Sequence, residues 1–439
     1  MLAEFISSNS IAISAGLLLV AYFFIALEKI PKMTIALLGG AITIILGLVS
    51  QHKEIAEGIN PHYFINFVDF NVIFLLVAMM IIVAITTRSG VFSWMANELL
   101  KFTKGHPVKI LFALGVFTAV TSAFLDNVTT VILIMPITFA IAKKLDINPI
   151  PYLLTEIFAS NIGGTATLIG DPPNIIIGSA AGFSFMDFIK ELTIPVAIIM
   201  VVVLSVLASI FKNKLVADKA KMEAIANIDN SKTITDKALM WRSTIVLGLV
   251  ILGFMLHDIT HLETCVVAML GASILLVFEK PDEILKDVEW NTIFFFIGLF
   301  IIIGGLEASG GIKLMAQWIL DVTHGSQTAT SMLILWASGI ISGIIDNIPY
   351  TATMAPMLSE ITAQKGMDFA YPLWWALSLG ACLGGNMTII GAAANVIVSE
   401  NANKQGHPIS FMQFLKYGVI VVAISLTISS IYVYFRYLV

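Results

Sequence analysis

Charge is scarce in this chain. Of its 439 residues only 12% are Asp, Glu, Lys or Arg, against roughly 25% in an ordinary soluble domain. That shortage argues against a soluble globular protein. The net charge of −5 is too small to point to a charged partner, and no nucleic-acid partner is expected. Cysteine is scarcer still. Cys265 and Cys382 both fall in apolar stretches, which excludes a disulfide framework and a thiolate metal site. His62, His257 and His261 lie in or beside loops without metal-ligand spacing and read as surface residues. There is no glycine-rich phosphate loop followed by Lys-Ser or Lys-Thr, so ATP is not the expected energy source. No nucleophile–base pairing is visible either. The chain does not read as an enzyme, and no cofactor is expected.

What fills the sequence instead is apolar. Hydrophobic residues make up 58% of it, and the mean hydropathy is +0.93. Many runs approach the ~20 residues that cross a hydrocarbon core. The first, 11–27, lacks a basic leader and a small-residue cleavage site, so it reads as a membrane span. The fold class is an all-α polytopic membrane protein. Spans are expected at 11–28, 32–50, 70–89, 191–211, 243–257, 262–279, 290–308 and 414–435. Four further apolar blocks, 107–142, 150–181, 329–358 and 371–399, are each interrupted by polar residues.

The interruptions come in pairs. Ser122-Ala123-Phe124-Leu125-Asp126-Asn127 returns 220 positions later as Ser342-Gly343-Ile344-Ile345-Asp346-Asn347. Asn71-Val72-Ile73-Phe74 matches Asn291-Thr292-Ile293-Phe294, Ser89-Gly90 matches Ser309-Gly310, and Pro136 matches Pro356 at the same offset. Gly163-Gly164-Thr165-Ala166-Thr167-Leu168-Ile169-Gly170 matches Gly384-Gly385-Asn386-Met387-Thr388-Ile389-Ile390-Gly391 at an offset of 221. Asn174 matches Asn395. Chance likeness between apolar helices does not hold a near-constant offset over so many segments.

Two repeats are therefore expected, 1–211 and 243–439, joined by a hydrophilic cytoplasmic linker, 212–242. Read as re-entrant hairpins, 107–142 and 329–358 leave five true spans in each repeat, with broken helices at 150–181 and 371–399. An odd number of spans inverts the second repeat relative to the first. The Lys and Arg bias agrees. With 212–242 inside, Lys29, Lys32, Lys101, Lys104, Lys109, Lys143 and Lys144 also fall inside, and both termini come out extracellular or periplasmic. The expected location is the cell (inner or plasma) membrane, in contact with lipid.

The chemistry follows from the hairpin tips. A helix that ends inside a bilayer leaves carbonyls and N–H groups without partners. An Asp or Asn at a helix start is ordinarily a cap, and Asn alone would cap as well. Keeping Asp in both copies, where an unpaired carboxylate costs ~2.5–3.5 kcal/mol, points instead to ion or proton handling. Asp126, Asn127, Thr129 and Thr130 form a set of hard oxygen ligands suited to Na⁺ or a proton. Asp346, Asn347, Thr351 and Thr353 form the matching set. At the breaks, Thr165, Thr167, Asp171 and Asn174 gather polar atoms, as do Asn386, Thr388 and Asn395, but Asp171 becomes Ala392 and Pro172-Pro173 becomes Ala393-Ala394. Glu156 and Glu307 are lone acids in apolar surroundings. Each either faces a water-filled vestibule or pairs with a basic group.

These motifs resemble the ion transporter superfamily, and within it the arsenite permease and sodium/proton antiporter (ArsB/NhaD) family, P-protein-like branch. The likeness is carried by Ser-Ala-Phe-Leu-Asp-Asn-Val-Thr-Thr at 122–130, Asn-Ile-Gly-Gly-Thr-Ala-Thr-Leu-Ile-Gly-Asp-Pro-Pro-Asn at 161–174, Ile-Asp-Asn-Ile-Pro-Tyr-Thr-Ala-Thr-Met at 345–354 and Gly-Ala-Cys-Leu-Gly-Gly-Asn at 380–386. It implies a homodimeric elevator transporter with a static scaffold and a mobile transport domain. Asn161 joins the expected site through this motif, and Na⁺ is expected at Asp126, Asn127, Asp346 and Asn347. The coupling ion is H⁺, Na⁺ or both. The expected activity is secondary active exchange of a small inorganic ion of the Na⁺/H⁺ type. Proton-coupled efflux of arsenite or antimonite is the alternative, followed by uptake of an inorganic or carboxylate anion and by a passive channel. An Asp at each tip, with no Arg or Lys beside it in sequence, disfavours a dicarboxylate.

Overall fold

The structure is a computed structural model that describes residues 2–27, 29–51, 63–226, 230 and 233–439. It is all-helical; no strand occurs among the described residues. His62 lies outside them, as do parts of the 212–242 linker.

The principal helices fall into two sets of nine. The first set is α1 (Ser10–Leu27), α2 (Lys32–Ile45), α3 (Phe70–Arg88), α4 (Val91–Phe102), α5 (Pro107–Ser122), α6 (Asn127–Leu145), α7 (Ile150–Gly164), α8 (Pro172–Ala181) and α9 (Phe185–Phe211). The second is α10 (Lys237–Met255), α11 (Thr264–Leu276), α12 (Trp290–Ala308), α13 (Gly311–Val322), α14 (Gln327–Ile345), α15 (Asn347–Lys365), α16 (Met367–Gly384), α17 (Ala393–Lys404) and α18 (Phe411–Val433). Eight helices are long and apolar enough to cross a membrane, among the described residues: α1, α3, α6, α9, α10, α12, α14 and the segment Phe411–Leu438. By contrast α2 and α11 have 14 and 13 residues, about 20 Å each.

Local sequence sets where these helices start. Asp69 caps α3 through the N–H groups of Asn71 and Val72, and Asp236 caps α10 through Ala238 and Leu239. Ser184 and Ser410, equivalent in the two repeats, cap α9 and α18. Gly90 and Gly310 take left-handed conformations, φ +80° and +88°, before α4 and α13.

The halves interlock. Within each, α5 packs on α7 and α14 on α16. Between them, α3 packs on α11 and α12 on α2, while α8 packs on α15 and α17 on α6. Small residues permit the closest of these contacts: a Cβ on Gly298 of α12 would lie 2.4 Å from the Ala36 carbonyl carbon of α2. The broken helices form the centre. Every residue from 151 to 171 and from 372 to 386 is buried, so these segments touch protein on all sides.

Candidate functional site

Each hairpin turns on one aspartate. Asp126 caps α6: Oδ1 accepts the Thr129 N–H at 2.9 Å and Oδ2 accepts the Thr129 hydroxyl at 2.5 Å. Asp346 closes α14 and starts α15 with no spacer, its Oδ1 accepting the Ile348 N–H at 3.0 Å. So sharp a turn forces φ to +87° at Asp346, a region that costs a non-glycine residue on the order of 1–3 kcal/mol.

A repeated set of hydrogen bonds fastens the breaks to the tips. Ser122 donates to the Ser160 carbonyl at 2.8 Å, and Ser342 to the Ala381 carbonyl at 3.0 Å. Thr167 donates to the Ala123 carbonyl, and Thr388 to the Gly343 carbonyl at 2.6 Å. The Asn174 amide donates to the Thr165 and Thr167 carbonyls at 3.0 and 2.9 Å, and the Asn395 amide to those of Gly385 and Thr388 at 2.8 Å each. Most of these acceptors lie at helix ends or within the breaks, where carbonyls run short of backbone partners, while those of Ala381 and Thr388 also accept the N–H groups of Gly385 and Gly391.

Two bridges then cross the halves. Asn127 donates to the Asn161 side-chain oxygen at 3.1 Å, and Asn161 donates to the oxygens of Asn386 at 2.8 Å and Asn395 at 3.0 Å. From the other tip, Asn347 reaches both oxygens of Asp171 at 3.3 Å. Asp171 itself is 1% exposed.

The tips differ in what they face. Lys32, the first residue of α2, places its ammonium 2.5 Å from Asp346 Oδ2. Tyr22 of α1 donates to the Pro349 carbonyl at 2.5 Å and shares a hydrogen bond with the Thr353 hydroxyl. The second tip therefore does have a basic partner, contrary to the reading from sequence neighbours alone. Among the described residues Asp126 has none of this kind. It lines a cavity of about 50 Å³ together with Asn127, Asp171, Asn347, Glu289 and Thr292, and apolar walls come from Leu76, Met80, Val128, Ile348 and Ala392–Ala394. No basic side chain lines it among the described residues.

Of the residues expected from sequence, the cavity gathers Asp126, Asn127, Asp171 and Asn347. The others lie outside its lining. Thr129 is bonded to Asp126, Thr165 to the Asn161 carbonyl, Thr351 to the Asn347 carbonyl and Thr353 to Pro349. Asn161, Thr167, Asn174, Asn386, Thr388 and Asn395 belong to the fastening network above. The Thr130 hydroxyl is buried and makes no hydrogen bond. Among the described residues, no group of three or more His, Cys, Asp or Glu side chains is arranged to hold a resident metal ion. Among the described residues Glu156 meets no basic group: it is fully buried, one oxygen accepts from Thr138, and Oε2 makes no hydrogen bond. Glu307 is exposed at the end of α12. His257 is half-buried rather than on the surface, and lines a separate cavity of about 170 Å³ with Glu263, Asn71 and Ser184.

Glu289, Lys32 and Tyr22 escape a reading by motif. Glu289 left a trace, since it precedes the matched Asn291 as Asp69 precedes Asn71. Lys32 left none beyond a charge beside Lys29 at the opening of an apolar run.

Likeness to known proteins decides the family. Residues 22–380 match the family described as citrate transporter. The chain belongs to that family. An uncharacterised transporter of Mycobacterium tuberculosis is 40% identical over 430 residues, covering 97% of this chain and 99% of the relative. The 46 kDa membrane protein of Mycobacterium leprae is 42% identical over 434 residues, with 97% and 99% covered. The P protein of Homo sapiens is 29% identical over 504 residues, and the match covers 97% of this chain but 60% of that longer protein. Among solved structures, the YdaH transporter of Alcanivorax borkumensis shares the fold, with a TM-score of 0.59 at 13% identity over 95% of this chain and 97% of that one. The resemblance to the ion transporter superfamily and to its P-protein branch stands, and this citrate transporter family member is a multi-pass membrane transporter.

Proposed function

We infer that the chain exchanges a small inorganic cation, Na⁺ or Li⁺, for protons. The observation that carries this reading is the lining of the central cavity. Three carboxylates, two carboxamides and a hydroxyl converge on it from both tips, the first break and the start of α12, with no basic side chain among the described lining residues. Hard oxygen ligands suit an alkali cation. About 50 Å³ has room for a small ion with a few waters, since about 10–15 Å³ of such space admits one water. A polycarboxylate would meet Asp126, Asp171 and Glu289 at close quarters, and the ammonium of Lys32 is already paired with Asp346. Cation and proton then compete for the same carboxylates, which couples their fluxes.

The second reading is carboxylate uptake, favoured by the family match alone. We further propose that the repeats are inverted and both termini lie outside, and that α5–α8 and α14–α17 move as one elevator unit. Helices α1–α3 and α10–α12 form the scaffold through which two copies pair. The exposed apolar faces of α1 and α10, including Leu19, Phe23, Ile245 and Leu249, support such a lipid-facing or dimer-facing role.

Purified protein in liposomes loaded with a pH dye tests the activity. Na⁺ or Li⁺ outside should change the internal pH, while K⁺, arsenite and citrate leave it unmoved. A response to citrate without one to Na⁺ or Li⁺ would replace the cation reading with carboxylate transport.

A further inference from the structure

The two tips carry the same residue pair, but only one is tied to the first two helices by charge. Asp346 is almost wholly buried and its carboxylate has two attachments: Oδ1 holds the Ile348 N–H at 3.0 Å, and Oδ2 holds the Lys32 ammonium at 2.5 Å. The ion pair joins residues 314 positions apart. Lys32 opens α2, whose glycine face is locked onto α12: a Cβ on Gly40 would lie 3.2 Å from the Gly298 carbonyl oxygen. Its position is thus fixed by packing that does not involve the hairpin. Beside it Tyr22 of α1 holds Pro349 and Thr353 of the same tip. Asp126 carries the equivalent carboxylate, yet it opens onto the acidic cavity and has no Lys or Arg partner among the described residues. One ammonium therefore occupies, on a tether, the kind of ligand that a free alkali cation would use.

Opening this contact without replacement would leave a carboxylate unpaired in a low-dielectric interior, which is strongly unfavourable. An alkali cation arriving at Asp346 would supply the missing charge and release the ammonium, whose side chain is 24% exposed. We propose that Lys32 is a built-in competitor of the transported cation at Asp346, so that the second hairpin leaves α1 and α2 only when a cation takes the place of the ammonium. This competition rests on the cation-exchange reading above. The mechanical part, that the pair holds the tip, does not. Lys32 acts as a positioning residue, and it makes the two tips unequal: Asp126 is open to the cavity, whereas Asp346 is reached by displacement.

The test uses the full-length protein in liposomes with Cys265 and Cys382 replaced by serine and Ile348 by cysteine. Ile348 is 9% exposed at the second tip, so the rate at which a maleimide labels it reports tip release. In sodium-free choline buffer labelling should be slow, and Na⁺ should raise it. Lys32→Gln should label faster by roughly tenfold or more without Na⁺, the scale expected for losing a charge-assisted hydrogen bond, and Na⁺ should add little. Lys32→Arg keeps the charge and should keep both the slow basal rate and the sodium response, which separates loss of the pair from damage to the fold. If Lys32→Gln labels as slowly as the parent in choline, the pair does not hold the tip and the proposal fails, whatever ion is carried. If the parent exchanges Na⁺ for protons but Na⁺ does not change its labelling, the competition is overturned while the exchange reading survives. If no cation moves protons, the exchange reading fails and takes the competition with it, while the choline arm still reads the latch.

Discussion

An aspartate at a helix start can cap the helix or keep its charge for a ligand, and Asp126 has oxygens enough for both. The cap from the Thr129 N–H would survive replacement by Asn, which caps a helix equally well, and the Thr129 hydroxyl would turn from donor to acceptor of the new amide N–H. The negative charge would not. Asp126→Asn should therefore insert and fold normally but lose apparent affinity for Na⁺ by roughly ten- to a hundredfold, the worth of one charge-assisted contact. Proton flux against Na⁺ concentration in liposomes measures it, and an unchanged curve would leave Asp126 a cap and nothing more. The pair of aspartates was legible in the sequence because a carboxylate at membrane depth is costly, and a repeated one marks a place where charge is used. Their inequality was not. What separates Asp126 from Asp346 is Lys32, and a contact across 314 positions leaves no periodicity or spacing to read.

At the scale of helices, close backbone approach decides the architecture around the breaks. A Cβ on Gly163 would sit 2.2 Å from the Ala119 carbonyl oxygen, and one on Gly384 would sit 2.4 Å from the carbonyl oxygen of Gly339. The two contacts are equivalent in the repeats, so α7 against α5 and α16 against α14 are one packing solution used twice. Gly163→Val should cost about 1–3 kcal/mol through overpacking, read from chemical unfolding in detergent. On α10, a Cβ added at Gly248 would meet nothing within 4 Å, so Gly248→Ala should leave stability unchanged or raise it by up to about 1 kcal/mol. Equal losses in both variants would detach the effect from the contact. Gly, Pro and Asp made the hairpins and breaks readable as interruptions of apolar runs. The amphipathic helices α4 and α13 were missed, because 12 residues bearing Glu98 and Lys101, or Lys313 and Asp321, look like polar connections between spans.

Over the whole molecule the repeats trade partners, and the trade makes two kinds of contact that the proposed elevator motion would treat differently. Contacts such as Phe139 of α6 with His407 after α17, whose rings stack 6.4 Å apart, join a hairpin of one half to the broken helix of the other. They should persist through the cycle if both belong to the moving unit. Contacts such as Tyr22 of α1 with Thr353 of α15 join a hairpin to the first of the principal helices, and the proposed motion would have to break them. Cysteines at each pair, introduced after Cys265 and Cys382 are removed, can be bridged with a short, cleavable bifunctional thiol reagent. The Tyr22–Thr353 bridge should arrest transport, and cleaving the reagent should restore the rate of the unbridged protein. The Phe139–His407 bridge should leave the rate within about twofold, because it constrains no motion that the elevator uses. The control for lost side chains is the same double variant before bridging, so only the constraint is compared. If the Phe139–His407 bridge stops transport while the Tyr22–Thr353 bridge does not, hairpin and broken helix slide past each other and α1 travels with the tip. The moving unit would then be cut along a different line from the one that the interlocked packing suggests.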